Sequence, residues 1–122
     1  VQVFIGLGGN FLRAIPERVR MEQAWTRMRL TVQVATKLNH GHLVNGAVAY
    51  LLPCLGRSEE DLQGGGTRQA VTMEDSLSCI HGSLGRNKPA SRHLLSEVAI
   101  VAGMAKATLR PNPKVAWDEW VA

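Results

Sequence analysis

The chain has few aromatic residues and few cysteines, and those shortages narrow its function first. Phe, Trp and Tyr make up 5% of 122 residues. Stacking on nucleic-acid bases therefore has little to work with, and no basic arm compensates. The net charge is +4, and the basic and acidic residues divide evenly between the two halves of the chain. A mild attraction for anionic ligands follows; DNA or RNA binding does not. Two cysteines, Cys54 and Cys79, form no Cys-x-x-Cys pair. Reduced thiols in a cytoplasmic setting are the economical reading. No apolar run approaches the ~20 residues of a membrane span, and no basic stretch leads into an apolar signal region. No low-complexity tract occurs, and 45% hydrophobic with 20% charged residues is an ordinary globular balance.

What is present begins with Val1 to Ile5, a short apolar and β-branched run that predicts a buried strand. Gly6, Gly8 and Gly9 follow at once, with Asn10 behind them. Glycines there permit positive φ and close approach to the backbone. Pro16 suits the first turn of a helix. Strand, glycine turn and helix together aim backbone N–H groups at a phosphate. The plain alternative is a tight turn that binds nothing.

Ala14 to Arg29 reads as a helix whose Met21, Trp25 and Met28 fall on one core face. Leu30 to Thr36 reads as a second strand. Thr36 to His42 is a polar loop at its end, and His42 to Gly46 a short helical turn. Ala47 to Leu52 is a near-continuous apolar run, as in parallel strands covered on both faces, and Pro53 ends it. The rhythm is that of an open, mainly parallel α/β sheet with flanking helices, Rossmann-like and three-layered. Ligands of such sheets sit beyond the carboxyl ends of the strands. Three polar loops are expected at that edge: Gly6–Phe11, Thr36–His42 and Pro53–Arg57.

The second half is looser. Ser58 to Asp61 is acidic, and Gly64-Gly65-Gly66 is a flexible joint. Gln69 to Met73 suits a short strand, and Ser78 to Lys88 is expected to be mostly loop. A last helix spans Glu97 to Leu109, capped by Ser96, with Val98, Val101, Ala102, Ala105 and Leu109 on its apolar face. Gly103 inside it implies close packing. One α/β domain over residues 1–110 and a tail over 111–122 are expected. Trp117, Trp120 and Val121 give that tail an apolar surface for a partner.

The candidate chemistries thin out quickly. A nicotinamide fingerprint needs a third glycine where Phe11 stands, and an acid after the second strand where Ala35-Thr36-Lys37 stands. Gln33, Thr36, Lys37 and Asn39 still offer hydrogen bonds to a ribose or base. His40 and His42, two apart without a Cys/Asp/Glu set, make weak zinc ligands, and loop contacts suit them better. No nucleophile–base–orienter set emerges around Ser76, Ser78, Cys79 and His81.

Several motifs in register resemble one family. Gly6 to Asn10, Leu30 to Asn39 with His42 and Leu43, and Leu51 to Arg57 resemble the large subunit of formate-dehydrogenase-like molybdopterin oxidoreductases. Val71 to Ser76, Gly85-Arg86 and Leu94 to Gly103 continue the match in order. The resemblance implies an internal α/β domain holding one arm of a molybdopterin guanine dinucleotide cofactor. Gly6, Gly8, Gly9 and Asn10 would face the pyrophosphate. Gln33, Thr36 and Lys37 would face the guanosine end, Asn39 and His42 would belong to the same cofactor-binding set, and Pro53 to Arg57 would complete the edge. Many relatives place an aspartate just after the position of Gln33; Val34 stands here. The molybdenum ligand and the iron–sulfur cysteines have no counterpart, so the chain alone is not expected to be catalytic. The implied partner is the remainder of such an oxidoreductase. The alternative is a free-standing small α/β protein, without cofactor, that self-associates or binds a partner through the surfaces that remainder would cover.

Overall fold

A computed structural model of the chain describes residues 1–62 and 66–117. The expected joint at Gly64 and Gly65 and the apolar positions Trp120 and Val121 lie outside the described residues. The chain divides into two compact units, residues 1–54 and residues 55–122. Among the described residues, no helix is long and apolar enough to cross a membrane.

The first unit is a small α/β arrangement. Strand β1 (Val3–Leu7) pairs in parallel with β2 (Leu30–Ala35), and β2 with β3 (Val48–Pro53), in the order β1-β2-β3. β1 runs two residues beyond the apolar stretch that announced it. Gly6 belongs to the strand, opposite Gln33, and the turn begins only at Gly8.

The helix expected from Ala14 to Arg29 is broken. α1 covers only Phe11–Ala14, and α2 runs Arg18–Trp25. Pro16 does not open α2; it sits in the break, where its ring and missing N–H bar helical continuity. Glu17 then caps α2 in a left-handed conformation (φ 55°), and its carboxylate accepts from Arg20 at 2.8 Å. The core row survives this break. Leu12, Trp25 and Met28 are buried together, with Phe4, Ile15, Met21 and Val44 packed against them. The Phe4 and Trp25 rings lie 4.4 Å apart between centroids, a distance at which tilted aromatic pairs attract. Both helices thus cover the Phe4 face of the sheet.

The other face is different. Side chains alternate along a strand, so Val3, Ile5 and Leu7 share that face with their cross-strand partners. Val32 and Val34 in the middle strand are buried, but Val3, Ile5, Leu7, Val48 and Tyr50 are about half exposed, at 49–57%. β3 was expected to be covered on both faces. It is an edge strand, and Val48, Ala49, Tyr50 and Leu51 are all exposed. Among the described residues, the helices of the first unit pack on the Phe4 face, and the opposite face keeps half-exposed apolar side chains on both edge strands.

The second unit holds a two-stranded antiparallel hairpin, β4 (Ala70–Glu74) and β5 (Ile80–Leu84). β5 replaces the loop expected between Ser78 and Lys88. Its turn explains how a sequence with Gly82 and Ser83 can still form a strand. One Asp75 carboxylate oxygen accepts from the N–H groups of Leu77 and Cys79, at 2.8 and 3.0 Å, and Ser78 takes φ 62°. A sharply set turn fixes the register of the two strands it joins.

α3 (Glu97–Thr108) begins as expected, Ser96 accepting from the Ala99 N–H at 3.3 Å. Of the expected apolar face only Ala102 and, in part, Ala105 are covered. Ala102 is buried and Ala99 and Ile100 partly so, whereas Val98, Val101 and Leu109 are exposed. Nor is Gly103 closely packed: a Cβ there would meet nothing within 4 Å. Periodicity identifies an apolar stripe, but the neighbouring elements decide which residues are covered.

Candidate anion-binding site

Parallel pairing places the carboxyl ends of β1, β2 and β3 at one edge of the first unit. The Gly8 N–H donates to the Val34 carbonyl at 2.8 Å, extending the ladder one step past Leu7. The chain then turns sharply, with Gly8 at φ 61° and Gly9 at φ 69°. Most L-residues avoid this region. A Cβ on Gly9 would point into open space. The main-chain N–H groups of Gly9, Asn10 and Phe11 have no hydrogen-bond partner among the described residues, and all three residues are exposed. Successive unbonded N–H groups at a turn make a concavity suited to an anion. The helix behind them is a single turn, Phe11–Ala14, so its dipole adds little. The main-chain donors carry the electrostatics.

The second loop is tied to the first. Asn39 donates from Nδ2 to the Gly9 carbonyl at 3.1 Å and accepts at Oδ1 from the Gly41 N–H at 2.8 Å. The Asn39 N–H in turn reaches His42 Nδ1 at 3.2 Å, which closes a capping box around a short 3-10 helix, His40–Leu43. Gly41 allows this proximity. A Cβ there would lie 2.7 Å from Asn10 Oδ1 and 2.9 Å from Asn39 Oδ1. Asn10, Gly41 and Asn39 thus form one contact between the loops. Asn10, Asn39 and His42 were among the expected site residues, Asn10 and His42 through the family resemblance, but Gly41 was missed. A glycine in a polar loop is ordinary, so nothing in the sequence marked this one.

Gln33 does not sit at the strand end. It lies in register with Gly6, and its Oε1 would be 2.7 Å from a Cβ placed there. Gly6 therefore makes room for the Gln33 side chain. Thr36 and Lys37 lie past the end of β2. With Ala35, Leu38, Leu51 and Pro53 they line a cleft of about 270 Å³. Lys37 is exposed and has no ion pair among the described residues. Arg13, by contrast, is engaged by Glu22 at 2.8 Å. Arg57 belongs to the second unit, where its guanidinium donates to Met73 Sδ at 2.9 Å.

Elsewhere Asp75 Oδ2 and His81 Nε2 meet at 2.8 Å on the exposed hairpin. That bond, with the N–H groups of Cys79 and Leu77, holds the Asp75 carboxyl below its ordinary value. No group of three metal-ligating side chains forms among the described residues.

Comparison with known proteins gives one consistent result. The chain is 46% identical over 120 residues to an uncharacterized oxidoreductase of Mycobacterium bovis, covering 98% of this chain and 15% of the relative. An uncharacterized oxidoreductase of Mycobacterium tuberculosis matches with the same figures. Protein YdeP of Escherichia coli strain K12 is 50% identical over 117 residues, covering 96% of this chain and 15% of YdeP. No family model and no solved structure matches. The chain therefore corresponds to about 15% of the length of these much larger relatives.

Proposed function

We propose that this chain is a cofactor-binding segment of a molybdopterin oxidoreductase, one that holds the guanine dinucleotide arm and is catalytically incomplete by itself. The observation that carries the reading is the exposed row of unbonded N–H groups at Gly9, Asn10 and Phe11, tied through Asn39 to the Thr36–His42 loop. Such a row fits a pyrophosphate, because each donor finds a charged acceptor and hydrogen bonds to charged groups are the stronger kind. Gly9 leaves the approach open. Thr36 and Lys37 would meet the guanosine end, with Lys37 the available cation. The relatives named oxidoreductases support the broader half of this reading. In a complete enzyme the molybdenum centre supplies two-electron redox chemistry; the residues here bind and orient.

The test is a GDP titration followed through the amide resonances of the 122-residue chain. Saturable shifts at Gly8 to Phe11 and at Thr36-Lys37, much weaker with guanosine, are expected. Shifts confined to other regions at millimolar GDP would overturn the reading. A second reading, a free-standing α/β protein that self-associates without cofactor, draws on the half-exposed row Val3, Ile5 and Leu7.

A further inference from the structure

The second unit contains a cleft unrelated to the glycine turn. It has a volume of about 660 Å³ and runs between the 55–62 and 86–95 segments, a size ordinary for small-molecule sites. Its walls are braced by the main chain. The Arg86 and Asn87 N–H groups both donate to the Ser58 carbonyl, at 3.0 and 2.9 Å, and Glu60 N–H donates to Asn87. Glu59 lends its carboxylate to the N–H groups of Gly56 and Ala90, at 2.7 and 3.0 Å. Leu55 N–H bonds the Leu95 carbonyl at 2.9 Å.

The lining separates into two chemistries. Leu55, Leu62, Leu94 and Leu95 supply an apolar floor, of which Leu62 and Leu95 are half exposed. Arg86, Lys88 and Arg92 supply three cations. None of the three has a carboxylate partner among the described residues. The acids of the lining are otherwise occupied: Glu60 pairs with Arg68, and Asp61 is buried with a partner of its own. The cleft therefore presents uncompensated positive charge above exposed leucine surface.

We propose that this cleft binds a small organic anion, its phosphate or carboxylate held by Arg86, Lys88 and Arg92 and its apolar body lying on the leucines. Arginine forks suit planar or tetrahedral oxyanions, and a lowered dielectric beside the leucines strengthens the attraction. An inorganic anion would leave the apolar floor wet, and a neutral hydrocarbon would leave the cations unanswered. This site stands whether or not guanine nucleotide binds at Gly9.

Octyl phosphate, octanol and inorganic phosphate serve as probes of the 122-residue chain, read through amide shifts. Octyl phosphate should shift Arg86 to Leu95 and Leu55 to Leu62, more tightly than either other probe and less tightly as salt is raised. Arg86→Ala and Arg92→Ala, both at exposed positions, should each weaken it roughly tenfold. Equal binding of octanol, shifts that fall elsewhere, or a double variant that binds within about twofold of the parent would overturn the proposal.

Discussion

The side-chain amide of Asn39 donates to the Gly9 carbonyl across 3.1 Å, joining two loops thirty residues apart. The same side chain caps the 3-10 helix through Gly41. Asn39→Ala removes both bonds and should cost about 1–2 kcal/mol, read as a lower urea midpoint. The GDP-induced shifts at Gly8 to Phe11 should shrink with it, because the turn loses its brace. Unchanged stability would show that the loops are held by packing instead.

Two glycines should respond in opposite directions. A Cβ on Gly85 would collide with the main-chain carbonyl of Glu59, beside the parallel bridge from Glu59 to Asn87. Backbone cannot swing aside as a side chain can, so Gly85→Ala should destabilise by about 3 kcal/mol or more. Gly103 in α3 faces open space, and Gly103→Ala should stabilise by up to about 1 kcal/mol through helix propensity alone. Thermal melts of both variants check the pair.

These glycines also show where the sequence was legible. β2 and β3 announced themselves through runs of apolar and β-branched residues, and α3 through its Ser96 cap. Their positions hold within a residue or two. β5 did not, because the strand depends on a turn built by Asp75 rather than on its own composition. The first helix was overread because the Met21, Trp25 and Met28 spacing is real, but Pro16 and the left-handed Glu17 interrupt the backbone upstream. In the candidate site, Asn10 and Asn39 were expected to meet a cofactor, and the contact between their loops was not foreseen. Which atoms they meet depended on Gly41, whose role is visible only once both loops are placed.

The hairpin should be acid-sensitive. The Asp75 carboxyl is held below its ordinary value first by His81, then by the N–H groups of Cys79 and Leu77. A carboxyl whose pKa is lower folded than unfolded contributes fully above its unfolded value, and that contribution fades as pH falls through the folded value. The β4–β5 hairpin should therefore loosen below about pH 4. Carbon-detected titration of the Asp75 carboxyl should show a midpoint below the usual aspartate range, moving upward in His81→Ala. Asp75→Asn, which keeps an oxygen acceptor for the turn, should flatten the acid response of the hairpin. A normal Asp75 midpoint would contradict this account.

The uncovered sheet face should drive association. Val3, Ile5 and Leu7 line one edge strand, Val48 and Tyr50 the other, and all are about half exposed. β3 carries the apolar pattern of a strand buried on both sides, yet four of its residues are open to water. Contiguous apolar surface of this kind marks an interaction site. A second copy of the chain would cover this face, so sedimentation should show weight rising with concentration. Ile5→Glu introduces a charge on that face in both copies and should raise the dissociation constant at least roughly tenfold. Its cost to the fold should be small, since the side chain is already half in water. Added salt should not dissociate the assembly, because the contact is apolar rather than ionic. A strict monomer at high concentration would mean that the face is tolerated bare, and would remove the self-associating reading with it.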